Sequence, residues 1–246
     1  MKSLLSRSLL AFTALVGVGA AQATIIDFEE TINSPFAPIA PFFGHGDEFY
    51  QGQYWIDPFS NSAVAQPGDL VGALIDGADL ANTCFGITCP VNNATHFYAG
   101  LNDGALVLGS MVKGQTFKVK SFDASFIGAE GATLPSVAGL LRLQGHLADG
   151  SGSITQTYQL PGLDQAGNLN FYSYNTVDAF ANAEFDYMYV FSFSCDSTGL
   201  CAAFQTDQGQ FAIDNIDLTS TIPEPVSLAL VALGLAGIGV IRRRQA

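Results

Sequence analysis

An all-β ectodomain held between two targeting segments is predicted from three observations. Runs of alternating apolar and polar residues recur along the middle of the chain, clusters of Gly, Asn, Asp and Pro separate them, and helical periodicity is scarce there. Many short strands joined by turns make a β-sandwich, and a jelly-roll topology is expected. The candidate strands are residues 25–29, 49–55, 70–75, 115–127, 137–147, 153–160, 168–174, 185–193 and 210–219. The clearest is 185–193, where Phe185, Tyr187, Tyr189, Phe191 and Phe193 share one face and Asp186, Met188, Val190 and Ser192 take the other. Turn signals stand at Asn102-Asp103-Gly104, Asp149-Gly150-Ser151-Gly152 and Pro161-Gly162. Residues 31–41, rich in proline, read as an extended loop.

The N-terminus divides into three zones. Lys2 and Arg7 are followed by an apolar run at 9–18 and by Ala21-Gln22-Ala23, a small-x-small cleavage site. This is the layout of a secretory signal peptide, residues 1–23, with the mature chain starting at Thr24. At the other end, Pro223-Glu224-Pro225 precedes an uncharged run at 226–241 and then Arg242-Arg243-Arg244. Sixteen helical residues reach about 24 Å, and snorkelling arginines make up the difference from the ~30 Å hydrocarbon core. A single transmembrane helix at 226–241 is expected, with its arginines on the cytoplasmic side and the ectodomain, residues 24–221, facing outward.

Charge narrows the partners. Only Lys113, Lys118, Lys120 and Arg142 of the nine basic residues lie in the ectodomain, against 21 of the 22 acids, which puts it near −17. Such a surface repels nucleic acid and anionic lipid and suits divalent cations and neutral or cationic polymers. Aromatic and β-branched residues are plentiful enough to bury a core, so the acidity does not imply disorder. The four cysteines form two close pairs, Cys84/Cys89 and Cys195/Cys201, read as disulfides that staple short loops in an oxidising compartment. Zinc would want histidines nearer to them.

The C-terminal layout, residues 222–246, resembles the PEP-CTERM sorting signal of Gram-negative bacteria: a Pro-Glu-Pro motif, a membrane helix and a terminal arginine cluster, in that order. The resemblance implies export by the secretion machinery and signal peptidase, then an inner-membrane precursor recognised by an exosortase and passed to the cell surface or extracellular matrix. Gln210, Phe211 and Asp214 also match the Gln-Phe-x-x-Asp motif of one subgroup. The first strand with Phe28-Glu29 and the last with Asp214-Asn215 resemble jelly-roll carbohydrate-binding-type domains, which implies that the two strands pair and that Glu29 and Asp214 hold a structural calcium. Asp27 shares a strand face with Glu29 and joins that set. The apolar parity of the last strand slips by one, from Phe211 and Ile213 to Ile216 and Leu218, which requires a bulge at Asp214-Asn215. Solvation of these acids at the surface is the alternative to calcium.

No nucleophile elbow, His-Glu-x-x-His motif or phosphate loop is present, and no catalytic residue is assigned. His45, beside Asp47 and Glu48, is the most suggestive histidine; His146 lies in a strand-like run and His96 in none. Tyr54-Trp55 and the Tyr172/Tyr174 pair are the patches where rings could stack on sugar, with core packing as the competing use. The expectation is therefore a non-catalytic surface or matrix protein associated with exopolysaccharide or biofilm. A secreted polysaccharide-active enzyme and a specific carbohydrate-binding module are the alternatives. The intact mass of the surface form in a host with exosortase should correspond to a chain that starts at Thr24 and has lost residues 226–246; arginine tails retained on all surface protein would disprove the C-terminal cleavage.

Overall fold

The computed structural model describes residues 22–29 and 42–221. The signal peptide up to Ala21, the proline-rich loop, the Pro-Glu-Pro motif, the helix at 226–241 and the arginines lie outside the described residues. Within them no helix is long and apolar enough to cross a membrane.

The chain opens with β1 (Gln22–Ile26), β2 (Phe42–Gly44), β3 (Phe49–Gln51), β4 (Tyr54–Ser60) and β5 (Leu70–Asp76). A 3-10 turn at Gly77–Asp79 leads to α1 (Leu80–Thr83), followed by β6 (Ile87–Thr88), β7 (His96–Gly100), β8 (Gly104–Ser110), β9 (Thr116–Ala129) and β10 (Val137–Leu147). Then come β11 (Ser153–Pro161), β12 (Tyr172–Asn175), α2 (Asp178–Asn182), β13 (Phe185–Cys195), β14 (Cys201–Ala202) and β15 (Gln210–Thr221).

These strands form one curled antiparallel sheet in the order β2-β5-β7-β15-β9-β13-β8-β4-β3, with β1 on β15 and β10 and β11 beyond β13. The curl is sharpest between β9 and β13, which meet through the single pair Phe117↔Phe185. That seam divides the sheet into a first half, β2-β5-β7-β15-β9, and a second half, β11-β10-β13-β8-β4-β3. Their inner faces share one core: Ile56, Leu106, Leu108, Leu141, Leu143, Met188 and Val190 from the second half pack with Tyr98, Val119, Phe122, Phe211, Ile213 and Leu218 from the first. The fold is all-β and sandwich-like, as the alternation requires. Tyr54 crosses the layers edge-on to Phe117, with ring centroids 5.7 Å apart.

The pairing of the first and last strands is present, from Gln22↔Ser220 to Ile26↔Ile216. β1 starts two residues before the expected mature N-terminus, so cleavage after Ala23 leaves Thr24, Ile25 and Ile26 to hold it. The expected irregularity in the last strand is also present. Register against β9 breaks after Asp214, and Asn215 takes φ 50°. The segment 49–55, expected as one strand, is instead a hairpin, β3 and β4, turned through Gly52 at φ 58°. Strands β7 and β8 were not legible because residues on both of their faces are buried, in β7 beneath the excursion and in β8 among the rings of its neighbours, leaving an apolar run without alternation. The face shared by residues 185–193 is interrupted too. His146 pairs with Tyr187 but Leu147 pairs with Phe185, so a bulge at Asp186 turns Phe185 into the core and the later aromatics outward.

Both disulfides have the expected pairing, Cys84–Cys89 and Cys195–Cys201. The first belongs to an excursion over the outer face of the first half, where Leu80, Cys84, Ile87 and Phe171 pack on Ala73, Ile75, Phe97, Ala99 and Ala212. Closing a loop of five residues restricts the unfolded chain by about 2 kcal/mol in the loop-entropy model. Cys84→Ala/Cys89→Ala should therefore lower thermal stability by about that amount and leave a folded protein. Loss of folding in that variant would show that the excursion depends on the bridge for its structure.

Candidate functional site

Among the described residues, the outer face of the second half has no such cover. Period-two geometry places alternate residues of β4, β8, β13 and β10 on it, and the registers bring them into rows. Trp55 lies beside Gly109, which lies beside Tyr187, then His146. The next row runs Asp57, Val107, Tyr189, Gln144. Phe59 sits beside Ala105, and Phe191 beside Arg142. Small side chains on β8 thus make a floor between two aromatic walls, on β4 and β13. All of the ring-bearing residues are partly exposed. The β4 and β13 backbones are about 10 Å apart across the intervening strand, and the rings close much of that gap, with the Trp55 indole over Gly109 and Phe59 against Tyr189.

Contacts hold the rings in place. His146 stacks on Tyr187 with centroids 4.3 Å apart and planes at 16°. Phe59 meets Tyr189 edge-on at 5.6 Å, and Phe204 covers Phe191 at 5.1 Å. Arg142 lies over the Phe193 ring at 4.7 Å, and its Nε donates to Thr157 Oγ1 at 3.1 Å. At the β13 end the trough deepens into a depression of about 320 Å³ lined by Phe59, Asn61, Gln144, Tyr189, Phe191 and Phe204.

One carboxylate stands among the rings. Asp57 Oδ1 is enclosed and has no hydrogen-bond partner among the described residues. Burial pushes its pKa up to about 6, the Glu48 and Asp47 charges add to the rise, and His45 opposes it. Glu48 itself accepts a hydrogen bond from the Tyr50 hydroxyl. His45 Nδ1 accepts from the Ser60 backbone N–H at 3.2 Å, so the histidine singled out by its neighbours serves as a loop fastener.

The residues expected to bind sugar separate. Trp55 is on the open face. Tyr54, the adjacent residue, must point the other way, is 0% exposed and has no ring face free, so it leaves the sugar-binding set. Tyr172 and Tyr174 lie on β12, which pairs with β9 of the first half. Tyr174 is stacked on Phe122 at 5.5 Å and donates its hydroxyl to the Gln159 carbonyl at 2.7 Å, while Tyr172 is exposed. The aromatics of β13 were visible as a shared face, but their exposure was not.

The acids expected to hold calcium do not converge either. Asp27 accepts from Gln51 Nε2 at 2.6 Å, and Glu29 lies 3.0 Å from His96 Nδ1 while accepting from the His96 backbone N–H. Asp214 is fully buried and accepts from Asn93 Nδ2 at 2.7 Å and the Asn215 backbone N–H at 2.8 Å. Among the described residues no group of three His, Cys, Asp or Glu side chains is arranged to hold a metal ion. Protein donors satisfy these acids individually, and Asp214 serves as a clasp between the bulge of β15 and the loop before β7.

No family model matches the chain, and no curated protein does. Among solved structures, it is similar to a DUF4465 family protein from Bacteroides caccae, at 12% identity and a TM-score of 0.46, over 80% of this chain and 98% of that one. A family 29 carbohydrate binding module matches at 13% identity and a TM-score of 0.32, over 82% and 90% of the two chains. An arabinose-bound α-L-arabinofuranosidase matches at 14% identity and 0.40, over 83% of this chain and 27% of that one. These likenesses are too remote to carry function, which has to come from the side chains.

Asp57 and Asp214 both have pKa values raised from 3.8 to about 6, in each case chiefly by burial; Asp123 adds to the rise at Asp214, against the donors Asn93 and Asn215. Folding therefore favours their protonated forms, and stability should rise as pH falls from above 6 toward 4. Asp149, Asp164 and Asp196 are lowered instead, so they titrate below that window. Allowing for solvent screening at Asp57, moving from pH ~7.5 to ~5 should add on the order of 1 kcal/mol, a few degrees in Tm. Asp214→Asn should flatten part of this dependence in thermal melts. A melting temperature that falls over the same interval would contradict the sign.

Proposed function

We propose that the chain is a non-catalytic, exported glycan-binding protein built on a jelly-roll sandwich, which the PEP-CTERM signal and exosortase deliver to the cell surface or matrix, where it associates with exopolysaccharide. The observation that carries the binding reading is the partly exposed aromatic trough. Rings left partly in water gain by stacking on a sugar's C–H face, and a folded domain rarely gathers such a patch at its surface without a partner for it. The polar rim, with Gln144, Thr155 and Thr157 around the rings, offers hydroxyl-directed hydrogen bonds. The disulfides fit an extracellular site of action.

Trp55→Ala and Tyr189→Ala should each weaken retardation in gels cast with galactomannan, hydroxyethylcellulose or the host exopolysaccharide, by about tenfold in affinity or more. Their melting temperatures should stay near that of the wild type, because neither ring is in the core. Tyr172→Ala, on the other half, should bind normally. Equal loss from Tyr172→Ala, or none from Trp55→Ala and Tyr189→Ala, would refute the trough as the site. Release of reducing ends by the wild type would favour the alternative, a polysaccharide-active enzyme.

A further inference from the structure

The trough does not end at Phe191. The depression at its β13 end shares Asn61 and Phe204 with a second one of about 400 Å³, lined by the loop after β4, the turn before β8 and the loop before β15. The two differ in chemistry. The first is walled by rings, and the second by Ser62, Asn102, Asp103, Gln205, Thr206 and Asp207.

The polar wall is fixed in place. Asp103 accepts from the Gly209 backbone N–H at 2.6 Å and from that of Thr206 at 3.1 Å, which ties the turn before β8 to the loop before β15. Asn102 Nδ2 donates to the Leu70 carbonyl at 3.1 Å. Phe204, at φ 57°, is held in the left-handed region that few bulky residues adopt, with its ring on Phe191 at the junction of the two depressions. The side chains of Asn61, Gln205 and Asp207 are not used in these ties, and they line the opening.

Resting on the glycan-binding reading, we propose that this second depression is a hydroxyl-reading subsite, so that the protein binds an extended, uncharged polysaccharide laid along the strands from Trp55 past Phe204. Trp55 and Phe59 are four strand steps apart, about 14 Å. The aromatic part alone therefore spans several sugars, and the polar subsite takes further units. Stacking is tolerant of sugar identity, while amides beyond Phe204 select by hydroxyl position. Anionic glycans are disfavoured. Asp57, Asp103 and Asp207 line the path, and the one cation on the face, Arg142, is already committed to Phe193 and Thr157.

Isothermal titration with hexamers of β-1,4-linked glucose, mannose and xylose, with polygalacturonate hexamer, and with the corresponding trimers tests this. At least one neutral hexamer should bind at least about tenfold tighter than its trimer and than the uronate. Gln205→Ala/Asp207→Ala, at two side chains that line the second depression alone, should bring the hexamer close to the trimer and leave the trimer unchanged. Tyr189→Ala should weaken both. The subsite is overturned if hexamer and trimer bind alike, or if the double variant weakens them equally or not at all. Preference for the uronate, or binding of no neutral hexamer, overturns the ligand class. The aromatic trough falls separately, if Tyr189→Ala leaves binding to the gel polysaccharides unchanged.

Discussion

Each strand of a two-layer sheet can bury only one of its faces against the other layer, and this constraint decides what every aromatic residue of the chain does. Residues that face inward meet in the shared core, from Ile26 and Phe43 to Leu218. Residues that face outward need either a second cover or a reason to meet water. The first half has a cover, the α1 and Cys84–Cys89 excursion, under which Phe97, Ala99 and Ala212 are enclosed. The second half leaves Trp55, Phe59, Tyr187, Tyr189, Phe191 and Phe193 partly exposed. That difference between the two outer faces is what makes one of them a candidate site.

The shape of the trough comes from β8. Gly109, Val107 and Ala105 alternate with Leu106 and Leu108, so the same strand supplies large side chains to the core and smaller ones to the outer face, where the neighbouring rings bury them. Gly109 has no room for a side chain, because a Cβ there would run into the Trp55 indole. The indole lies against the sheet over that position. A larger residue at Gly109 would lift the ring off the floor and fill the space where a ligand ring would lie, so floor and wall are interdependent.

Much of the fold was legible. Strand 137–147 coincides with β10, the last strand carries the irregularity its parity slip required, and both short-range disulfides follow from spacing. The site was legible only in part, for a physical reason. Alternation divides a strand into two faces without saying which of them is inward, and the run of rings in 185–193 suggested a hydrophobic face when the buried set is Met188, Val190 and Ser192. Asp186, in the same segment, marks the bulge that detaches Phe185 from the others. Tyr54 and Trp55 could not be assigned as a pair, because neighbours on a strand point oppositely. The covered strands β7 and β8 hid for the converse reason, since burial on both sides removes the alternation that reveals a strand. The acids at 27, 29 and 214 were expected to converge, but Gln51, His96 and Asn93 contact them one by one.

Electrostatics and shape favour the proposed class of ligand together. Lys118 and Lys120 lie 3.8 and 3.9 Å from Glu184 and Asp217, and Arg142 is held against a ring, which leaves few basic groups to attract an acidic polymer. A neutral chain loses nothing to the charge of the ectodomain and gains the ring contacts. Asp57 sharpens the point. A carboxylate enclosed among rings with an unpartnered oxygen is costly to keep ionised, and it lies on the one face where a sugar hydroxyl could be brought to it. The strand that continues toward the C-terminal tail, β15, belongs to the other half of the sheet. Its last residues still touch the second half, since Gln53 Nε2 in the β3–β4 turn donates to Ser220 Oγ at 3.2 Å, so the strand that leads to the tail and the sheet that carries the rings are tied together.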